Sequence, residues 1–368
     1  MHRSHGGDTI LSRPAMLTQI ENQLFDRMQG AIRYVSPVAP GEAEGVTREV
    51  YRQLRREFQL APPLTLQSPS SELLAGAWSV LREVEIVQGA LTRPEKEAIA
   101  GAVSQRNLCP YCVDAHTGLL EAATRSGDGR AVRGANPDAI EDVRMRGLVT
   151  WALATRNPDD PVIWKPPFSS EQAPEAIGTA LFYHYTNRMV QVFLGDALLP
   201  VPSAFRSVVR TVYSATFARR MVERSGEPGE SLALLPEADL PSDLAWAESR
   251  PTIGSAWARF ASAAEAAGVR SLPDSVRAAV TARLEQWHGE DLDLSGAWLD
   301  HALEEVREAD HSFARLAFLS AFAPYRVDEA VVDAFRQEDP SDRGLVEAVA
   351  WSSWTAARRI GRWLSPQS

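Results

Sequence analysis

Cysteine is scarce in this sequence: 368 residues contain only Cys109 and Cys112. Two cysteines are too few to form a disulfide framework in a chain of this length. In a reducing compartment, an isolated pair of neighbouring cysteines serves redox or metal chemistry more often than it serves as a crosslink. The pair is therefore the first candidate for a functional site.

Long apolar runs and clusters of basic residues are also missing. No stretch approaches the roughly 20 apolar residues that a membrane-spanning helix needs, and the N-terminal "MHRSHGGDTILSRPAM" has no apolar core of signal-peptide length. The net charge is −10, and no basic stripe with aromatic residues occurs. We expect a cytoplasmic protein with neither a membrane nor a nucleic acid as its partner.

Strand-like alternation of apolar and polar residues is rare, whereas apolar residues recur at spacings of three and four. Such spacing is typical of helices that bury one face. Clusters of Pro, Gly, Asp and Ser separate these segments. We predict an all-α fold with helices in residues 15–32, 47–58, 71–87, 94–107, 140–155 and 175–195.

The two halves of the chain are weakly similar to each other. "LTRPEKEAIAGAV" at 91 parallels "LPDSVRAAVTARL" at 272, and "LFYHYTNRMVQVFLG" at 181 parallels "AWSSWTAARRIGRWL" at 350. We predict two tandem helical repeats, of which the second lacks cysteine and serves as a scaffold. The predicted units are an N-terminal helical extension (1–44), a first repeat (45–224), a linker (225–243) and a degenerate second repeat (244–368).

The cysteines lie where one helix ends and the next begins. Thr92 and Glu95 have the spacing of a capping box, which predicts a helix that runs to about Arg106. Pro110 suits the first turn of a second helix, which we expect to end near residues 126–127. Cys109 would then lie at a helix N-terminus, where unpaired N–H groups and the helix dipole favour a thiolate.

Residues 109, 112 and 116 project from one face of the second predicted helix because they are three and four positions apart. The two sulfurs of Cys109 and Cys112 can approach each other, and His116 can exchange its proton one turn beyond Cys112. Glu97, on the helix before, is a carboxylate that can hold the ring of His116 and tune its basicity. We expect a Glu–His–Cys relay that activates a thiol.

Two other interpretations of these residues remain open. A zinc ion could be bound by the two cysteines with His116 and Glu97, although three ligands from one short helical stretch would be unusual. The cysteines could also be small buried residues with no chemistry. We expect no metal and no other cofactor.

The spacing Glu-x11-Cys-x-x-Cys-x3-His resembles the AhpD-like (alkylhydroperoxidase D) and carboxymuconolactone decarboxylase superfamily. "KEAIAGAVSQRNLCPYCVDAH" is similar to the core of that family, and "GTALFYHYTNRMVQVFLG" is similar to its last core helix. The clear resemblance covers about residues 70–195. The resemblance implies an all-helical, AhpD-like fold of two repeats. Members of that family with two repeats form trimers.

The resemblance also implies a peroxidase that acts on a small hydroperoxide. In that scheme Cys112 is oxidised, Cys109 resolves it as a disulfide, Glu97 and His116 relay protons, and an external dithiol or lipoylated protein is the reductant. Helix electrostatics would instead favour Cys109 as the more acidic thiol, so the attacking sulfur stays open. In alkylhydroperoxidase D itself a histidine stands at the position of Tyr111.

Further candidates follow from the same segments. Tyr111 and His184 are candidate substrate contacts. The alternatives to a peroxidase are a lyase similar to carboxymuconolactone decarboxylase, and a non-catalytic helical assembly or zinc-binding protein. We also expect a homotrimer, because the second half keeps apolar helical faces that a partner subunit could bury.

Overall fold

Helices account for the regular structure of the described part of this protein. The computed structural model describes residues 28–124, 126–197, 218–293 and 295–365, and no strand occurs among them. The all-α prediction is therefore confirmed. The described α-helices of six residues or more are α1 (Gly45–Glu57), α2 (Ser71–Leu81), α3 (Arg93–Arg106), α4 (Pro110–Thr124), α5 (Asp128–Arg133), α6 (Val143–Ala154), α7 (Ala173–Phe193), α8 (Pro251–Ser271), α9 (Asp274–Gln286), α10 (Ala297–Glu304), α11 (His311–Phe322), α12 (Glu329–Glu338) and α13 (Asp342–Leu364).

Local sequence signals place several of these helices. Helix α3 begins with the predicted capping box, in which Thr92 and Glu95 bond each other's backbone. Helix α6 begins after Asp142, whose carboxylate accepts the N–H of Met145. Most of the helix predicted over residues 15–32 lies outside the described residues.

One predicted helix differs from the structure near its end. The segment 71–87 forms α2 and then a π-helical turn, Arg82–Ile86, instead of continuing as an α-helix. Such wide turns occur mainly as local bulges and often at functional sites. This one changes which side chains face the neighbouring helices α3 and α7.

Helices of the first half pack on helices of the second half. Helix α2 lies against α8, and α7 lies against α13. Gly76 of α2 allows this approach, because a Cβ there would lie only 3.0 Å from a ring carbon of Phe260. Helices α7 and α13, whose sequences parallel each other, therefore meet across the molecule, which fits the predicted duplication, while the domain boundaries themselves stay predictions.

A buried arginine, Arg82, bonds the predicted linker to the first half. Arg82 is fully buried and bonds Glu57 at 2.6 Å, while its other nitrogens reach the carbonyl of Glu227 and the carboxylate of Glu230. A buried guanidinium with several acceptors has its donors satisfied. The segment 225–243 thus passes over the first half in a defined position.

Helix α7 lies at the centre of the fold and is buried along nearly its whole length. It contacts α3, α13 and the π-helical turn, while the α3–α4 hairpin carries the two cysteines to its side. Among the described residues, no helix is both long enough and apolar enough to cross a membrane.

Candidate active site

The turn between α3 and α4 places Cys109 at the start of α4. The N–H of Cys109 bonds the carbonyl of Ser104 at 3.0 Å, and the N–H of Leu108 bonds that of Gln105 at 3.2 Å. These two bonds define a Schellman motif, whose left-handed position is usually glycine. Here it is Leu108, with φ of 54°.

The two cysteines are neighbours in space as well as in sequence. Their Sγ atoms lie 2.9 Å apart, and both side chains are buried free thiols. A disulfide bond needs a separation of about 2.05 Å. Closing the remaining gap requires a small movement within the first turn of α4.

Glu97 and His116 form the predicted carboxylate–imidazole pair. Oε2 of Glu97 lies 2.8 Å from Nδ1 of His116, and Glu97 is fully buried. A carboxylate on Nδ1 directs the other ring nitrogen, Nε2, away from the pair. The structure thus brings Glu97, His116 and the two cysteines together in one site.

Two charged residues that the sequence analysis did not identify, Arg93 and Glu85, lie beside this pair. Nε of Arg93 donates to Oε1 of Glu97 at 2.7 Å, and Nη2 of Arg93 lies 3.2 Å from Oε1 of Glu85. The i,i+4 spacing of Arg93 and Glu97 is a recognisable helix ion-pair pattern. No comparable spacing identified Glu85, because the π-helical turn determines the direction of its side chain.

Tyr183 of α7 joins the same cluster. Its hydroxyl donates to Oε2 of Glu85 at 2.5 Å, and its ring meets the His116 ring edge-on with the centroids 4.3 Å apart. Aromatic rings favour such edge-to-face contacts. The sequence analysis singled out "LFYHYTNR" but selected His184 instead of Tyr183.

The two carboxylates titrate in opposite directions. Burial would raise the pKa of Glu97, but Arg93 and His116 outweigh it and lower that pKa to about 2. Burial and the charge of Glu97 raise the pKa of Glu85 to about 7, although Arg93 works against them. One guanidinium cannot fully compensate two buried carboxylates, so one keeps its charge and the other holds its proton near neutral pH.

The surroundings of Cys112 favour its protonated thiol. Burial raises the pKa of its thiol well above the usual range, the neighbouring Cys109 sulfur adds to this effect, and a hydrogen bond from Asn187 opposes it. A thiol in such surroundings is protonated at neutral pH, whereas the thiolate is the nucleophile. His116, held by Glu97, is the adjacent group that can accept the proton.

A cavity of about 60 Å³ opens beside the site. Cys112, His116, Tyr111 and Tyr183 contribute to its wall, and the rest of the wall is mainly apolar, with residues such as Phe58, Leu64, Leu81, Leu119, Phe182 and Met221. Cys109 is not among the lining residues. A small molecule in this cavity would therefore lie beside Cys112.

His184 lies on another side of α7, in a buried polar network. Its Nδ1 is 3.0 Å from Nδ2 of Asn107, and its Nε2 is 2.9 Å from Oγ1 of Thr155. Because an amide nitrogen only donates, we assign the ring proton to Nε2. Burial lowers the pKa of His184 well below its usual value. A neutral His184 fixes the α3–α4 turn and does not line the cavity.

The described residues contain one group whose geometry could suit a metal ion: Glu85, Glu97 and His116, with ligand atoms within 4.8 Å of one another. The Arg93 guanidinium already supplies a cation to both carboxylates. Neither cysteine belongs to the group, so the geometry does not reproduce the zinc ligand set that the sequence left open. The arrangement suits proton transfer better than metal binding.

Known proteins match this chain both in the site region and over most of its length. The model of the carboxymuconolactone decarboxylase family matches residues 72–127, which include Glu97, both cysteines and His116. Over 334 residues the chain is 37% identical to the alkyl hydroperoxide reductase Rv2159c of Mycobacterium tuberculosis, with 90% of this chain and 95% of that protein covered. The chain belongs to the AhpD-like, carboxymuconolactone decarboxylase family.

Proposed function

We propose that this protein is a thiol-dependent peroxidase that reduces hydroperoxides through Cys112 and Cys109. The main observation in support of this proposal is that Cys112 and His116 line one cavity while His116 is bonded to the buried carboxylate of Glu97. The printed name of the Mycobacterium tuberculosis relative, an alkyl hydroperoxide reductase, supports the same activity.

In the first step His116 accepts the Cys112 proton, and the thiolate attacks the terminal oxygen of the hydroperoxide. An S–O bond forms, the O–O bond breaks, and the leaving alkoxide takes the proton back from His116 to become an alcohol. Cys112 is oxidised to a sulfenic acid while the hydroperoxide is reduced by two electrons. Glu97 stabilises the imidazolium that exists between the two proton transfers.

In the second step the Cys109 sulfur attacks the sulfenic sulfur of Cys112. An S–S bond forms, the S–O bond breaks, and hydroxide leaves as water with the Cys109 proton. The 2.9 Å separation of the sulfurs favours this step over further oxidation of Cys112. Cys109 is thus the resolving residue, although it lies at the helix N-terminus.

An external dithiol or a lipoylated protein closes the cycle by thiol–disulfide exchange. The reductant becomes a disulfide and both cysteines return to thiols, so one hydroperoxide consumes one dithiol. Such reductants stay reduced in the cytoplasm, which is where we place the protein.

The wall of the cavity supports an organic hydroperoxide as substrate. Apolar groups predominate, and Tyr111 is positioned to contact a bound molecule beside Cys112. An alkyl group gains from leaving water in such surroundings, whereas hydrogen peroxide has none to bury. We therefore propose preference for a hydroperoxide with a small apolar body, with Tyr111 as a substrate contact.

A lyase is the second candidate because the family model is named for a decarboxylase. A lyase has no use for two thiols in contact, so the cysteine pair favours the peroxidase. Reaction with a lactone substrate and no consumption of dithiol would favour the lyase.

Cysteine variants test the proposal directly. In Cys112→Ser, hydroperoxide reduction should fall to background, while Cys109→Ser should still consume one equivalent of hydroperoxide and leave a sulfenic acid that dimedone traps on Cys112. Peptide mass spectrometry locates the adduct, and circular dichroism checks that both variants are folded. Wild-type turnover in Cys112→Ser, or an adduct on Cys109 in Cys112→Ser, would exclude the assigned roles.

A further inference from the structure

Glu85 is a buried carboxylate for which the peroxidase cycle above has no use. It lies in the π-helical turn, with 1% of its surface exposed, and its Oε1 has no hydrogen-bond partner among the described residues. Its nearest groups are Arg93 at 3.2 Å and the Tyr183 hydroxyl at 2.5 Å. Leaving an acid underbonded in the interior is costly, so its position beside the site calls for a role.

Charged groups on three helices face Glu85. Arg93 and Glu97 come from α3, His116 from α4 and Tyr183 from α7. Lys96 of α3 is more remote and bonds Glu175 and the carbonyl of Val87. The cluster therefore holds two carboxylates and one guanidinium around a single imidazole.

The charged residues of the other helices packed on this turn bond elsewhere. Glu72 of α2 pairs with Arg343, and Arg259 of α8 bonds the carbonyl of Leu235. Within the turn itself, Arg82 and Glu83 bond each other. The charge of Glu85 is therefore balanced only within the site cluster.

We propose that Glu85 is a positioning residue of the relay: by sharing Arg93 with Glu97 and holding Tyr183 against His116, it sets how readily His116 accepts the Cys112 proton. This inference rests on the proposed function only in taking Cys112 as the reacting thiol. It assigns Glu85 no contact with substrate and no transfer of a proton to it.

The direction of the effect follows from charge. When Glu85 is ionised, it adds a negative charge near His116 and competes with Glu97 for Arg93; both changes stabilise the imidazolium. A more stable imidazolium increases the population of the Cys112 thiolate paired with it. Because the pKa of Glu85 is about 7, this population should rise as the pH passes through that region.

The test is the pH dependence of Cys112 alkylation by iodoacetamide, with peptide mass spectrometry to separate Cys112 from Cys109. The wild-type rate should show a rise centred near pH 7, below the range in which the buried thiol titrates by itself. Glu85→Gln keeps the size of the side chain and removes the charge. It should match wild type below about pH 6 and react about tenfold more slowly at pH 8.

Glu83→Gln is the matched control. Glu83 is equally buried in the same turn, but its carboxylate bonds Arg82 and the N–H of Gly229, away from the relay. This variant should keep the rise near pH 7. Loss of the rise in both variants would assign it to the stability of the turn and overturn the proposal.

Tyr183→Phe provides an independent check if Glu85→Gln fails to fold. It removes the hydroxyl that bonds Glu85 but keeps the ring against His116. Because that hydrogen bond lowers the pKa of Glu85, its loss should move the rise to higher pH. A rise at the wild-type pH would contradict the proposal.

Alkylation and peroxide assays on the same samples separate the two hypotheses. A protein that reduces no hydroperoxide but loses the alkylation rise in Glu85→Gln would refute the peroxidase and retain the role of Glu85. Active peroxidase with an unchanged alkylation profile in Glu85→Gln, or with a uniform rate loss at every pH, would refute the role of Glu85 alone.

Discussion

Glu97 and Glu85 are both buried carboxylates, and their hydrogen bonds explain why their charges differ. Glu97 receives one bond from Arg93 and another from His116, whereas Glu85 receives one from Tyr183 and lies near Arg93 without a well-directed bond. Ionised carboxylates in an apolar interior need donors. The residue with more donors keeps its charge, as the anionic end of the proposed relay must.

Replacing Glu97 by Gln should destabilise the protein in a pH-dependent way. The folded-state pKa of Glu97, about 2, lies below the ordinary 4.5, so its stabilising effect is complete above pH 4.5 and is lost as the pH falls from there towards 2. At pH 7 we expect a loss of roughly 3 kcal/mol in the free energy of unfolding. Urea titrations at pH 7 and pH 3 measure it; an equal loss at both would contradict this account.

Spacing, together with the family resemblance, was enough to identify the central residues of the candidate site. Glu97, Cys109, Cys112 and His116 have a spacing that a helical hairpin brings together, and the structure places them in one. Arg93 could have been found as the i,i+4 partner of Glu97. The remaining contacts come from α7 and the π-helical turn, whose facing depends on tertiary packing that no local pattern encodes.

At the level of elements, the hairpin is the part that the sequence predicted best. The capping box at Thr92 and the proline at the start of α4 are local signals, and both are confirmed. The sequence pattern did not predict the Schellman turn, because Leu108 occupies the position where glycine is usual. Nor did it predict the π-helical turn, because the apolar spacing typical of an α-helix continues unchanged through residues 71–87.

Leu108 allows a test of the energy held in this turn. Its φ of 54° is unfavourable for any residue with a Cβ, and its side chain is 65% exposed, so little packing would be lost on truncation. Leu108→Gly should therefore be more stable than Leu108→Ala by about 1 kcal/mol, the reverse of the usual order in helices. Urea unfolding of both variants measures the difference. A Leu108→Ala variant more stable than Leu108→Gly would mean that the turn is unstrained.

At the level of the whole molecule, the physical reason for expecting a homotrimer does not hold. We expected a partner subunit to cover the apolar faces of the second half. Trp351 and Trp354 are buried within the chain itself, with Trp354 stacked on Trp257 at 5.3 Å. Contacts between the two halves account for these faces without a partner.

The trimer is therefore a proposal that rests on the resemblance to two-repeat family members. Light scattering at micromolar concentration should give a mass of three times the 40.4 kDa chain. Dilution to nanomolar concentration in mass photometry tests how tightly the subunits associate. A mass of 40.4 kDa in both measurements would refute the proposal, and a dimer would require an isologous interface instead.

The shared core leads to a further expectation: the first half, which carries both cysteines with Glu97 and His116, should not fold alone. The Tyr185 ring packs on Phe260 at 5.0 Å, and Leu181 lies against Gly361. Ending the chain at residue 243 would expose this face of α7 to water, at a cost of about 25 cal/mol for each Å² of apolar surface. Such a fragment should aggregate or show no cooperative thermal transition in circular dichroism. Its cooperative unfolding near the temperature of the full chain would instead establish the first repeat as an autonomous domain, with the second half an appendage.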